Sequence, residues 1–255
     1  MATTLEIMEK HLADLSNTKL LVKEYAVAIT INNIDYAVMM LSPNDLEDFA
    51  FGFLFSERVI VNSYDIHDID IRINAAELTA IVNVQIANRC LSKLQAAGRQ
   101  TQGNSGCGIC GVISLAQAMP KLTPLIRSKA PDSASVLALK QQLSAWQTQG
   151  QSSGAMHAAF LLQNNKIIAC REDIGRHNAL DKLIGCKLQM NTQPTGELAF
   201  LVTSRCSVEL VHKAIIANVG TLISLASASQ LAVNRARQAN LNLIHIPKHD
   251  QPIYY

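Results

Sequence analysis

From Met156 to Ile246 the chain alternates between short apolar runs and helical periods, and this constrains its fold more than any other feature. "MHAAFLL" and "KIIACRE" read as a hairpin across Gln163–Asn165. A helix near 177–185 follows, then a strand "LAFLVTS", a helix "VELVHKAIIAN" closed by Gly220, a strand "TLISLA", a helix over 229–239 and a strand "LNLIHI". Strands that alternate with helices need crossover connections, so the pattern predicts a mostly parallel sheet with helices packed over it, an α/β fold.

The first half is organised differently. Residues 20–41 form two strand-like runs split by Asn32-Asn33, a pair that tolerates the positive φ of a tight turn. In "SPNDLEDFAFGFLFSERVI", Ser42 suits an N-cap, Pro43 the first helical position and Asp45 the first turn. Leu46, Phe49, Ala50, Phe53 and Leu54 then recur at helical spacing, which predicts one buried face. Two more strands, 66–73 and 78–87, flank the turn "NAAE". A short helix is expected at about 112–119. "KLTPLIRSKAPDS" has two prolines and no sustained period, and reads as a linker. "SASVLALKQQLSAWQ" is an amphipathic helix with Val136, Leu139, Leu143 and Trp146 expected inward. Two units follow: a ββαββ-type N-terminal domain over 1–125, carrying a glycine-rich C-x-x-C, and a second domain over 126–255.

The 255 residues suffice to bury a real core. A formal charge of +2 forces neither nucleic acid nor an anionic membrane as partner, and neither is expected. The N-terminal "MATTLEIMEKHLADL" lacks the apolar stretch of a signal peptide, and no run approaches the roughly 18 apolar residues of a membrane span. A cytoplasmic protein is therefore expected. The six cysteines are too sparse for a disulfide scaffold, so reduced thiols are expected too.

Two of them, Cys107 and Cys110, stand in "NSGCGICGVIS" among Gly106, Gly108 and Gly111. Glycine frees the backbone and weakens regular structure, which a buried structural cysteine does not need. A C-x-x-C can clamp a metal, switch redox state or carry sulfur. Zinc usually takes four protein ligands, or three and a water, and no second C-x-x-C or H-x3-H exists here. A thioredoxin-like motif opens a helix directly after a strand, whereas glycine and polar residues precede this one. A nucleophilic thiol must be exposed and partly ionised, and a glycine-rich loop provides exposure. Cys90, Cys170, Cys186 and Cys206 are scattered, with Cys170 and Cys206 beside apolar strand patterns that suggest core.

Four further clusters carry polar chemistry. His157 opens a strand after "SSGAM". Zinc nucleobase deaminases place H-x-E at such a point, but here Ala158 and Ala159 follow and the general-base glutamate is missing. "REDIGRHNALDKLIG" sets Arg176, His177 and Asn178 where a strand turns into a helix, a natural anion site. Asp181 and Lys182 fit a solvated helix face equally well. Arg205 in "TSRCSVELVHKA" lies where parallel sheets gather ligand-binding loops, and is a phosphate candidate or a surface ion pair. "HIPKHDQPIYY" follows the last strand at the same kind of edge. Neither a Walker A sequence nor a G-x-G-x-x-G occurs. A zinc-dependent hydrolase remains a rival that metal analysis would test.

Taken together, "VMMLSPNDLEDFAFGF", "GCGICG", "GAMHAA", "REDIGRHNALDKLIG" and "SRCSVELVHKA" resemble the formate dehydrogenase accessory protein family, FdhD, from about residue 22 to the end. The resemblance implies a sulfur carrier. Cys107 would receive sulfur from a cysteine desulfurase as a persulfide, and Cys110 would assist or relay. The acceptor would be molybdenum bis(molybdopterin guanine dinucleotide), or its tungsten counterpart, before insertion into formate dehydrogenase. A chaperone that holds the cofactor without transferring sulfur is the alternative. The resemblance also implies a cytidine deaminase-like three-layer C-terminal domain beside a smaller α+β N-terminal one, a homodimer, and no structural metal. The family's cofactor-contacting stretch falls on Ile246, Pro247, Lys248, His249, Asp250 and Gln251. Here Asp250-Gln251 replace the family's glycine–arginine ending, and an acid near phosphate is unfavourable unless Lys248 or Arg205 compensates. With His157, Arg176, His177 and Arg205 these make up the expected cofactor site.

Overall fold

A computed structural model describes residues 21–91, 119–192 and 196–255, leaving aside the side chain of Ser152. Cys107, Cys110 and the helix expected near 112–119 lie outside the described residues.

The first unit is a four-stranded sheet in the order β2-β1-β4-β3, with β1 Tyr25–Ile31, β2 Ile34–Leu41, β3 Ile66–Asn74 and β4 Thr79–Ile86. β1 and β2 are joined by Asn32 and Asn33 at φ 50° and 66°, the left-handed turn expected of that pair. α1, Leu46–Ser56, lies between β2 and β3 in the chain. Val27, Ile29 and Ile31 of β1 point at it, as do Val82 and Val84 of β4, and all are buried. Burying a side chain of this kind contributes about 1.5–3 kcal/mol, so this face accounts for much of the unit's stability.

α1 departs from expectation in two ways. It starts at Leu46 after Asp45, which is left-handed at φ 53°, and Ser42 is not its cap. Ser42 is used elsewhere: its N–H donates to Asp173 at 3.0 Å and its carbonyl accepts from Lys182 at 3.0 Å. Second, α1 is buried nearly all round, Phe51 and Gly52 included, because a second helix covers its outer side.

The second unit is a six-stranded sheet, β10-β9-β8-β7-β5-β6. Its strands are β5 His157–Gln163, β6 Lys166–Asp173, β7 Leu198–Val202, β8 Thr221–Ser224, β9 Asn242–His245 and β10 Ile253–Tyr254. Only the β7–β8 and β8–β9 pairings are parallel, and the other pairings are antiparallel. The sheet is therefore mixed rather than mostly parallel. The β5–β6 hairpin and the short return β10 need no crossover, so they flank a parallel centre. α4 Arg176–Gln189, α5 Val208–Ile216 and α6 Gln230–Gln238 cover one face. α2 Ser133–Trp146 covers the other, above Phe160, Leu201 and Ile244, and the short α3 Thr148–Ser153 follows it. In α2, Val136, Leu139 and Leu143 are buried as expected, but Trp146 at the helix end is 39% exposed. α5 is capped by Ala217, and Asn218 at φ 53°, not Gly220, takes the left-handed turn that closes it. Leu122 and Leu125, just after Pro120, pack into the core of this second sheet.

The two units meet where α1 crosses α4. A Cβ on Gly52 would fall 1.7 Å from the Asp181 carbonyl oxygen, and one on Gly185 would fall 1.8 Å from the Asp48 carbonyl oxygen. Only glycine at both positions lets the two backbones touch.

Candidate functional site

Strand register gathers the loops of interest at one end of the second sheet. His157 pairs with Asp173, and Ala159, Val202, Ser224 and His245 align across the neighbouring strands. Residues 174–178, 203–207 and 246–252 therefore leave the sheet at the same edge where His157 enters it. This is where ligands sit in open α/β sheets. The polar groups at this edge fall into two kinds.

The first kind is satisfied and buried. Lys182, fully buried, pairs with the fully buried Asp173 at 2.7 Å. Asp173 also accepts from the N–H of Gly175 at 2.8 Å and the Asn178 amide at 3.1 Å. The same Asn178 amide donates to the Met40 carbonyl at 3.0 Å, and the Ile174 N–H donates to the Ser42 hydroxyl at 3.1 Å. Alongside, Asp181 takes the Ser56 hydroxyl at 2.7 Å and Lys213 at 2.6 Å. Arg171 binds Asp48 at 2.6 Å. Asp181 and Lys182 are thus not a solvated face. With Asp173 and Asn178 they form the joint between the two units, because α1 and the β2–α1 turn lie against this side of α4. Buried charges persist only when paired and hydrogen-bonded, and these are.

The second kind faces the open edge, where several groups are exposed or lack a partner among the described residues. Arg176 opens α4 after Gly175, which offers no side-chain cap, and its Nε is buried without a hydrogen-bond partner among the described residues. His157 is half-buried beside it; burial and the nearby Arg176 cation both hold its imidazole below the usual histidine range, against the pull of Asp173. Next to Arg176, His177 meets Glu209 at 2.6 Å and the Ser207 hydroxyl at 3.3 Å. Spacing explains this pairing: His177 and Asp181 are four apart on α4, Glu209 and Lys213 four apart on α5, so the His177–Glu209 contact and the Asp181–Lys213 ion pair both bridge the helices. The structure brings His157, Arg176 and His177 together. Arg205 is exposed on the β7–α5 loop. Ile246 is buried beneath α2, and the carbonyls of Pro247 and Lys248 accept from Lys140 at 3.3 and 2.8 Å. The side chains of Lys248, His249, Asp250 and Gln251 are exposed.

A neighbouring set was not singled out in the sequence. His212, three residues after Glu209, is buried with its Nε2 unpartnered among the described residues, and burial followed by the Arg235 cation pushes its pKa down to about 4. Oε1 of Glu209 and Nε of Arg235 are likewise buried without partners. The Glu-x-x-His spacing on one helix was legible, but not that α6 would bring Arg235 against it.

The described cysteines are poor nucleophiles. Burial pushes the Cys170 and Cys206 thiols up to about 12, with the Glu172 carboxylate adding to the effect at Cys170. Burial also raises Cys186, and Cys90 lies in the core of the first unit. Among the described residues no group of three histidine, cysteine or acidic side chains is arranged to hold a metal ion, and no helix is long and apolar enough to cross a membrane.

Comparison with known proteins gives a consistent picture. A protein called sulfur carrier protein FdhD from Cupriavidus necator is 40% identical over 223 residues, 87% of this chain and 76% of its own length. One of the same name from Bordetella bronchiseptica is 33% identical over 234 residues, 91% of this chain and 84% of its own. The fold matches the crystal structure of a candidate formate dehydrogenase accessory protein from Desulfotalea psychrophila with a TM-score of 0.69 at 20% identity, over 92% of this chain and 87% of that one. The model of the FdhD/NarQ family matches residues 22–255, and the chain belongs to that family.

Proposed function

We propose that this protein is a sulfur carrier in formate dehydrogenase maturation. Its sulfur comes from a cysteine desulfurase. The Cys107 thiolate attacks the outer sulfur of the donor's persulfide, the donor's S–S bond breaks, and the donor cysteine leaves as a thiolate that takes the proton Cys107 gave up. Cys110 supplies the second thiol. Its attack on the inner sulfur of the Cys107 persulfide releases hydrosulfide and closes a Cys107–Cys110 disulfide. The two electrons that convert sulfane sulfur to sulfide thus come from the cysteine pair, and an external dithiol reopens the disulfide.

The acceptor is molybdenum bis(molybdopterin guanine dinucleotide), bound at the sheet edge. Its phosphates need cations and free N–H groups. Arg176, with a buried Nε that no described residue satisfies, supports this reading, with the α4 N-terminus, His157, Arg205 and Lys248 around it. We read the second unit, with helices on both faces of a mixed sheet, as a cytidine deaminase-like domain that has lost the catalytic glutamate. The working form is a cytoplasmic homodimer. The observation that carries the proposal is the family match, which spans the C-x-x-C segment and the sheet edge together.

The test is mass spectrometry after incubation with desulfurase and cysteine. The wild type should gain about 32 Da per sulfur, and Cys107→Ala should gain nothing while keeping its fold. Normal loading of Cys107→Ala would refute the assignment. Binding of GDP without any mass gain in the wild type would instead leave a cofactor-holding chaperone.

A further inference from the structure

Between α1 and β3 the chain turns a corner, residues 57–65, that is stiffer than a connection needs to be. Asp65 is almost fully buried, and its carboxylate accepts the N–H groups of Val61 at 2.7 Å and Asn62 at 3.2 Å. Arg89 pairs with it at 2.6 Å, and its carbonyl accepts from Ala87 at 2.8 Å. Val59 and Ile60 fill the core beneath. On this frame Val61 is 62% exposed and Tyr64 83% exposed. Exposed Arg58 and the largely exposed Arg89 flank them.

A lone exposed apolar side chain is ordinary and needs no explanation. This pair differs in its setting. An exposed tyrosine between two arginines, with an apolar neighbour, carries the two residue types enriched at the centres of protein interfaces. Moreover, both ends of the segment that carries Cys107 and Cys110 attach here. Arg89 and Cys90 lie against Asp65 just before that segment, and the Arg58 guanidinium donates to the Lys121 carbonyl at 3.5 Å just after it. A partner seated on the corner is therefore held beside the place where the sulfur-carrying segment enters and leaves the fold.

Resting on the sulfur-carrier reading, we propose that this corner is the docking surface for the sulfur-donor protein. Val61 and Tyr64 form its apolar centre and Arg58 and Arg89 its cationic rim. The complementary face is apolar with an acidic rim around the donor's persulfide. A second copy of this chain fits poorly, because twofold pairing would set the same two cations against each other.

The test uses the full chain with Val61→Ser and Tyr64→Ser combined. Loading, read as mass gain over time, is compared with two donors: purified cysteine desulfurase plus cysteine, and glutathione persulfide. The desulfurase-driven rate should fall at least about tenfold, as loss of a central hot spot does, while loading from glutathione persulfide stays within about twofold of wild type. Equal desulfurase-driven loading in variant and wild type would overturn the docking surface. An equal fall with both donors would also overturn it, since the corner would then act on the carrier segment or the fold. If the wild type loads from neither donor, the sulfur-carrier reading itself fails and takes the docking surface with it.

Discussion

The joint between the two units and the open edge of the second sheet are built from one run of sequence, residues 171–185, yet behave in opposite ways. At the joint, Lys182, Asp173, Asn178 and Asp181 are buried, and each finds partners, several of them in the other unit. At the edge, one turn of helix away, Arg176 keeps a buried nitrogen without a partner among the described residues and His157 sits half-buried beside it. Dense polarity alone therefore does not mark a ligand site. What distinguishes the two is whether the fold itself satisfies the polar groups, because an unsatisfied buried donor costs about 1–3 kcal/mol that a ligand can recover.

The sharpest way to break this contrast is at Lys182. Lys182→Met leaves Asp173 buried and uncompensated, and should cost about 3–5 kcal/mol in chemical denaturation. A loss near zero would mean that the joint is not closed by this pair. Next, Gly52→Ala forces α1 off α4 and should cost roughly 1–3 kcal/mol, with a second drop for Gly185→Ala. Arg176→Ala should do the reverse of Lys182→Met: calorimetry should show GDP binding weakened by about tenfold while the melting temperature barely moves, since the buried Nε of Arg176 has no partner among the described residues.

A pH titration separates the regions again. His212, held neutral by burial and by Arg235 and Arg58 against the opposing Glu209, has its pKa lowered from 6.5 to about 4. The unfolded chain then binds the proton first, so stability should fall as pH drops from about 6.5 towards 4 and stop responding to this group below that. His212→Gln should flatten that slope in thermal melts. Smallest of all, Arg205→Ala on the exposed loop should change stability by no more than about 0.5 kcal/mol.

The sequence showed the strands and helices well where one periodicity governed. The Asn32-Asn33 and Asn164-Asn165 turns, the α1 core residues and the α5 and α6 helices fall close to where their patterns put them. It misled where a residue's partner was far away in the chain. Ser42 has every local attribute of a helix cap, but its peptide is claimed by Asp173 and Lys182, over 130 residues on. Asp181 and Lys182 sit five and six residues past the helix start with nothing local to bury them, until α1 and α5 close over that side. The mixed sheet also depended on distance, since a hairpin and a short return strand look the same in sequence whichever strand they later join.

By itself, then, the sequence determined the local elements, the second unit's α/β character and the residue types that could do chemistry, because these follow from side-chain period and backbone preference. The tertiary structure alone decided which polar groups the fold consumes and which it leaves open. That choice is made by burial and by contacts between elements, several of them between residues more than a hundred positions apart, and no local pattern encodes it.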